Sequence, residues 1–384
     1  RLARPARRAR AQGRARAASN GEGQGAGAGA ADAAGESQSS ARVEADAISA
    51  RRRHKYAVKL SYDGSGFAGF QLQRRQGGSD SDSASESEGG SGSDGGIGVG
   101  RRRMRGLGAP RTVQGEVERV LPRLTGADRA VLGVAGVGRT DSGVHARAQW
   151  VHFWTEQPLR GGGAKLLGGL NGLLDADVRC HDALEVPPQF HARRSALTKE
   201  YRYEIDFGPH ADPLRRSHAL FLHRPLDVAR VAEACALFEG THDFSSFANR
   251  TRDRSKQPNP VRTVSRCWVE ETRTGIVIAV RGPGFLYRQV RNMVGAIIRV
   301  GDGKSASEEI TRLLEAKDRG MAPKSAPAHG LYLHDVEYPD FVFDHEYCAE
   351  RGTEVFHELL ALKGIQLDDD ADVVRPQDLT ALRE

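Results

Sequence analysis

The carboxylate of Asp141 is the strongest candidate for chemistry in this sequence, because it lies in a turn flanked by glycines. The turn reads GRTDSGVHA over residues 138–146, and it follows a short apolar run at 131–137 that predicts a strand. A half-buried strand is predicted next, over residues 148–153. Loops between rigid elements often carry chemistry, but an aspartate in a turn can also serve only to hydrogen-bond its own backbone. The spacing alone leaves both interpretations open.

Two polar neighbours of Asp141 extend its chemical options. Arg139 could bind a phosphate, or it could clamp the turn. His145 and Asp141 together would supply at most half of a metal site. The four cysteines of the chain are widely separated and lack CxxC spacing, so neither a zinc site nor a disulfide framework is predicted. We therefore predict no metal in this protein.

Stretches along most of the chain resemble the motifs of one enzyme family. The nonamer at 138–146 resembles the signature of the tRNA pseudouridine synthases of the TruA type, and the other motifs follow in the family's order between about residues 55 and 339. Phe70 stands where the family commonly has Trp, a departure that concerns packing more than chemistry. The further motifs are YDGSGFAGFQLQ at 62–73, FHAR at 190–193, KEYRY at 199–203, GTHDFSSF at 240–247, GFLYRQVRNMVG at 284–295 and GLYL at 330–333.

The resemblance implies an isomerase that converts uridine to pseudouridine in tRNA, in the anticodon stem-loop at tRNA positions 38 to 40. That reaction breaks a glycosidic bond, turns the detached uracil and forms a carbon–carbon bond, so no cofactor is expected. Asp141 would be the nucleophile, Arg291 its ion-pair partner and Tyr201 the residue that stacks on the base, while Arg139 would flip the nucleotide or contact a phosphate. Attack at C1′, addition to C6 and removal of the C2′ proton all remain open.

Contact with tRNA is predicted mainly on a cationic run between a helix and a strand. The resemblance also implies a homodimer that grips the anticodon stem and loop across two subunits. Two other classes of protein are alternatives. One is a non-catalytic tRNA-binding or folding protein of the same fold, against which the presence of Asp141, Tyr201 and Arg291 argues. The other is a metal-dependent hydrolase, for which the sequence shows no set of metal ligands. The predicted contact residues are Arg250, Arg252, Arg254 and Lys256, helped by Arg193, Arg194, Arg288 and Arg291.

Periodicity predicts a mixed α/β protein in two related halves. Apolar residues alternate with polar ones over 55–62, as in a strand with one buried face, and a helix beginning near Thr112 should be kinked or shortened by Pro122. The resemblance implies two ferredoxin-like or RRM-like halves, whose sheets join into one central, mostly antiparallel sheet with the catalytic cleft between them. The predicted divisions are an N-terminal half at 55–195, a C-terminal half at 196–340 and an extension at 341–384.

The remaining segments are biased in composition. Eleven arginines and five acidic residues give the first 53 residues a net charge of +6, which equals the formal charge of the whole chain. We expect a disordered arm over 1–54, either a chloroplast or mitochondrial transit peptide or a tail with affinity for RNA. Since the chain begins with arginine, we expect its natural N-terminus to extend further. A disordered insertion is predicted at 74–111, and no apolar run is long enough to predict a membrane span.

Overall fold

The computed structural model describes residues 46–72, 110–249 and 258–363, of which those from Ser49 onward belong to one compact unit. Most of the expected arm, most of the expected insertion and the predicted tRNA contacts at 250, 252, 254 and 256 lie outside the described residues. Eleven strands are found in the described part of the chain. They are β1 (His54–Tyr62), β2 (Ala135–Gly136), β3 (His145–Thr155), β4 (Val178–Val186), β5 (Thr198–Phe207), β6 (Leu220–Leu222), β7 (Gly240–Asp243), β8 (Val261–Val264), β9 (Arg266–Glu271), β10 (Gly275–Gly282) and β11 (Leu331–Glu337).

Nine of these strands form one sheet in the order β4-β1-β3-β11-β5-β10-β9, with β2 on β3 and β6 on β5. Only β11 with β3 and β5 with β6 are parallel pairs, and β7 and β8 form a separate antiparallel hairpin. The predicted mixed α/β class with a large, mostly antiparallel sheet is therefore confirmed. The boundary between the halves at residue 195 stays a prediction.

Some of the helices pack against this sheet, and each of them buries one or more apolar residues. Among the described residues, no helix is long and apolar enough to cross a membrane. The helices are α1 (Val113–Thr125), α2 (Arg129–Leu132), α3 (Gly162–Leu173), α4 (Val228–Ala236), α5 (Gln289–Gly301), α6 (Glu308–Ala316), α7 (His345–Arg351) and α8 (Glu354–Leu362).

Two local predictions are wrong: a strand over 131–137, and a helix shortened by Pro122. A kink of that helix at Pro122 stays a prediction. The apolar run before the Asp141 turn forms α2 and then only the two-residue strand β2, because Gly133 adopts a left-handed conformation (φ +49°) that ends the helix. Helix α1 continues through Pro122 to Thr125. Pro122 lies in the last turn, where its carbonyl still accepts the Gly126 N–H, and the capping Thr112 hydroxyl accepts the Gly115 N–H at the other end.

Strand β11 brings the two halves of the sequence together at the candidate site. Its Leu333 pairs with Ala146 of β3 on one side and with Tyr201 of β5 on the other. Neighbouring strands lie about 4.8 Å apart, so Tyr201 is about 10 Å from the strand that begins four residues after Asp141. Helix α5 is tied to the same place, because the Ala326 N–H donates to the Arg291 carbonyl.

Candidate active site

Backbone and side-chain hydrogen bonds hold the turn that carries Asp141. Its carbonyl accepts the Val144 N–H at 3.1 Å, which closes the turn. The Thr140 carbonyl accepts the Phe70 N–H at 3.1 Å, and the Ser142 hydroxyl donates to the Phe67 carbonyl at 3.1 Å. The turn is therefore fixed to the segment that follows β1.

Gly69 makes this close approach of two backbones possible. It has φ +115°, and a Cβ placed on it would lie 2.9 Å from the Thr140 carbonyl oxygen. Any other residue would be strained at this φ and would also push against the turn. A glycine in the motif at 62–73 thus helps to set the position of Asp141.

Asp141 forms an ion pair with Arg291 of α5. Arg291 Nη1 lies 2.9 Å from Asp141 Oδ2, and Arg291 Nε donates to the Ala326 carbonyl at 2.8 Å. The two side chains are only 11% and 16% exposed, respectively, so water screens the pair poorly. A guanidinium that is held from two sides presents a fixed positive charge to the carboxylate.

Tyr201 lies beside this pair and is 9% exposed. Its ring meets Phe285 edge to face at 5.4 Å between centroids. Burial, helped by the negative charge of Asp141, raises the pKa of the Tyr201 phenol above its usual value, so the hydroxyl stays protonated at neutral pH. Gly138 of the Asp141 turn lies next to the Tyr201 hydroxyl, since a Cβ on it would be 3.7 Å from that oxygen, an ordinary contact distance.

Three cations near the site make no hydrogen bond or ion pair through their side chains with any residue that the structure describes: Arg139, Arg193 and Lys199. Burial and the positive charge of Arg193 lower the pKa of Arg139. Burial, with Arg193 and Lys363 nearby, lowers the pKa of Lys199 to about 7. Lys199 is 8% exposed and alternates with Glu200 on β5, so it shares the sheet face of Tyr201. Arg139 and Arg193 therefore give the site a local excess of positive charge, to which Lys199 adds when it is protonated.

His145 does not join Asp141. Its Nδ1 accepts the Gly64 N–H at 3.0 Å and its Nε2 faces the His329 carbonyl at 3.1 Å, so the backbone uses both ring nitrogens. Asp63 and His218 lie beside it, with one polar atom of each residue within 4.8 Å of the others. A metal there would have to replace backbone hydrogen bonds of His145, so the geometry favours a structural role. The sequence analysis missed this cluster because its members are far apart in the chain.

Arg288 is the other cation at Asp141 and the one whose backbone is unusual. It precedes α5 with φ +61°, and its Nε lies 3.8 Å from Asp141 Oδ2, too far for a hydrogen bond. The motif at 284–295 contains this residue, but neither its conformation nor this approach can be read from the sequence.

Comparisons with known proteins agree with these observations. A family profile described as tRNA pseudouridine synthase matches residues 234–339. The tRNA pseudouridine synthase A of Shouchella clausii is 41% identical over 238 residues, which cover 62% of this chain and 88% of the relative. That of Thermus thermophilus is 41% identical over 241 residues, covering 62% and 90%, and that of Bacillus licheniformis is 43% identical over 229 residues, covering 59% and 90%.

Proposed function

The chain belongs to the tRNA pseudouridine synthase A family, and from this membership we propose that it isomerises uridine to pseudouridine in tRNA. The observation that carries the proposal is the partly buried Asp141–Arg291 ion pair next to the buried ring of Tyr201. A reaction that detaches uracil from ribose needs a carboxylate near the sugar and a place to hold the base. Asp141 and Tyr201 offer both at one point of the sheet, since the strand of Tyr201 and the strand that follows Asp141 both pair with β11.

Asp141 acts as the nucleophile in this proposal. Arg291 fixes the orientation of this carboxylate, and it can stabilise negative charge that develops on the substrate. Tyr201 holds the base by stacking, for which an aromatic ring contributes about 1 to 3 kcal/mol per base. Arg139, which is exposed and whose side chain has no partner among the described residues, contacts a phosphate when the nucleotide leaves its helix.

The substrate proposed is the anticodon stem-loop of tRNA, bound by a homodimer. This rests on the family resemblance and on the excess of cations around the site. The cationic residues Arg250, Arg252, Arg254 and Lys256 remain the proposed outer contacts with the RNA. The Asn249 N–H donates to the Tyr287 carbonyl at 3.0 Å, so the residue just before this run is tied to the segment beside Asp141.

Release of tritium from C5-labelled uridine in unmodified tRNA tests the function, because formation of the new carbon–carbon bond expels that label. We expect release by the wild-type chain without added metal or cofactor, and none by Asp141→Asn. The matched control is Asp335→Asn, which removes an exposed carboxylate on β11 and should leave the rate unchanged.

Two results would contradict the proposal. Tight tRNA binding with no release by the wild type would favour the non-catalytic tRNA-binding protein. Release that stops with a chelator and returns with a divalent metal would favour metal-dependent chemistry. Equal release by wild type and Asp141→Asn would keep the isomerase but remove Asp141 as nucleophile.

A further inference from the structure

The two residues before helix α5 have unusual features for this site: Tyr287 is an exposed aromatic residue, and Arg288 has an uncommon backbone conformation. Arg288 adopts a left-handed backbone conformation (φ +61°), which only one other non-glycine residue shares in the described part of the chain. Such a conformation costs a non-glycine residue about 1–2 kcal/mol, and strain of this kind concentrates at functional sites. Without it, the Arg288 side chain would leave the helix start in a different direction.

The Arg288 guanidinium is under-used. Its Nε is buried and has no hydrogen-bond partner among the described residues, and the nearest carboxylate oxygen, Asp141 Oδ2, is 3.8 Å away. Two other arginines stand close by, but both have partners. Arg291 bonds Asp141 and the Ala326 carbonyl, while Arg319 bonds the carbonyls of Ala322 and Pro323 and the Asn292 side chain.

Charge in this cluster does not balance. Arg288 and Arg291 both lie within 4 Å of one carboxylate, that of Asp141, and burial, followed by the positive charge of Arg288, lowers the pKa of the neighbouring Arg319. Although its Nε is buried, the Arg288 side chain as a whole is 37% exposed, so the guanidinium can be reached by solvent and by a ligand. An anionic group with oxygen acceptors would satisfy its donors and relieve the repulsion.

Tyr287 provides the second half of the feature. It is a large side chain that is 48% exposed, and the Arg288 guanidinium lies over its ring at 5.2 Å from the centroid. An exposed aromatic ring beside a free guanidinium is the combination with which proteins bind a nucleotide that has left its stack.

We propose that Tyr287 and Arg288 form a nucleotide-binding subsite beside Asp141, in which Tyr287 stacks on a base next to the target uridine and Arg288 binds an RNA phosphate. The inference rests on the proposed function for the identity of the RNA. The distance of 3.8 Å from Asp141 places this phosphate contact at the target nucleotide rather than on a distant part of the tRNA.

Binding in the inactive Asp141→Asn background tests the subsite separately from catalysis. Dissociation constants for unmodified tRNA are measured over a range of salt concentrations. Arg288→Gly removes the guanidinium and also the backbone strain, so we expect about tenfold weaker binding, a salt slope reduced by about 0.7–0.9, and an unchanged or higher Tm. A residue with a merely structural role would lower Tm and leave the salt slope unchanged.

Tyr287 is tested with a conservative pair of variants. Tyr287→Leu should weaken tRNA binding about tenfold, and Tyr287→Phe, which keeps the ring, should restore it. The matched control is Arg266→Ala. Like Arg288, Arg266 lies over an aromatic ring, that of Trp268, at 4.6 Å from its centroid. Its strand neighbour is Arg281, whose own neighbour on β5 is Glu200, so Arg266 lies on the sheet face opposite Tyr201. Its loss should change neither the affinity for tRNA nor the salt slope.

The subsite is overturned if Arg288→Gly binds tRNA like its parent, if it lowers Tm, or if Tyr287→Phe is as weak as Tyr287→Leu. Failure of the proposed function looks different. In that case the wild-type chain releases no tritium, while the binding comparison between Arg288→Gly and Arg266→Ala still gives its answer.

Discussion

His191 of the FHAR motif uses its imidazole ring to hold the backbone of the residues that follow it. Its Nδ1 accepts the N–H groups of Arg193 and Arg194 at 3.2 and 3.3 Å, and so fixes the turn that presents the free cation Arg193. Burial, followed by the positive charges of Arg194, Lys55 and Arg193, lowers the pKa of His191 from 6.5 to about 3. A protonated Nδ1 could not accept these bonds, so the turn depends on a neutral imidazole.

Acid should therefore destabilise the protein through His191. The folded pKa lies below the unfolded one, so the stabilisation is complete above pH 6.5 and is lost as pH falls from 6.5 towards 3. His191→Asn keeps an acceptor oxygen that does not titrate. Between pH 6.5 and 4 we expect Tm of the wild type to fall faster than Tm of the variant, by about 2–4 °C per pH unit.

Thermal unfolding followed by circular dichroism measures this difference. His242→Asn is the control, because it removes a histidine outside this turn. Parallel Tm curves for the wild type and His191→Asn would show that His191 does not carry the acid sensitivity. The neighbouring His152, whose pKa is also lowered by burial, would then be the next residue to change.

At the same scale, the residues of the candidate site were within reach of the sequence but their contacts were not. Asp141 stood out through its turn, and the motifs supplied Tyr201 and Arg291, which lie 60 and 150 positions further along the chain. Nothing in the local pattern reports that Arg288 takes a left-handed conformation or that His145 bonds the backbone on both sides. Such facts depend on tertiary contacts.

At the scale of elements, two loops packed backbone to backbone determine where Asp141 lies. Gly69→Ala should strain the left-handed backbone and drive the new Cβ towards the Thr140 carbonyl, only 2.9 Å away. We expect a loss of more than about 1 kcal/mol of stability and at least about a tenfold drop in kcat, because the Asp141 turn must move. Tritium release and thermal unfolding measure the two effects.

Gly126→Ala is the matched control for this element. Gly126 also has a positive φ, +69°, but a Cβ on it would meet no atom within 4 Å. It should cost about 1 kcal/mol of stability and leave kcat unchanged. If both variants lose activity equally, strain in general and not the contact with the turn explains the effect.

The type of a secondary-structure element was predicted correctly where its sequence pattern fits only one structure. It was predicted poorly where the pattern fits two structures, or where packing opposes a local preference. Strands β1 and β3 appear within a few residues of the runs that predicted them, at 55–62 and 148–153. The apolar run at 131–137 fits a strand or a buried helical turn equally, and packing selected the helix. Pro122 does not shorten α1, because burial of apolar side chains and the N-terminal cap stabilise the helix more than one missing hydrogen bond near its end destabilises it. The buried side chains are Val113, Val117, Val120 and Leu121.

At the scale of the whole molecule, composition says little about RNA binding, because residues 54–384 contain equal numbers of basic and acidic groups, 45 each. Segregation of charge matters instead. Acidic residues elsewhere are taken up in ion pairs, such as those of Arg111 with Glu116, Asp175 and Asp177. Near the candidate site, by contrast, the structure describes cations whose side chains have no acidic partner.

The affinity of the full chain for tRNA should therefore fall steeply with salt, and single cations near the site should carry measurable parts of that dependence. Arg193→Ala should reduce the slope of log K against log salt by about 0.7–0.9, the value expected for one phosphate contact. Arg273→Ala is the control, an exposed cation in the turn before β10. Arg273 lies near Asp206, since Gly275, the first residue of β10, pairs with Asp206 of β5. Asp206 is seven residues along β5 from Lys199, so Arg273 lies roughly 23 Å from the end of β5 that carries Lys199. At that distance salt screens the interaction between charges. Equal slopes for the two variants would mean that the positive charge that binds RNA is spread over the molecule. They would contradict the prediction that the cations near the candidate site form the RNA-binding surface.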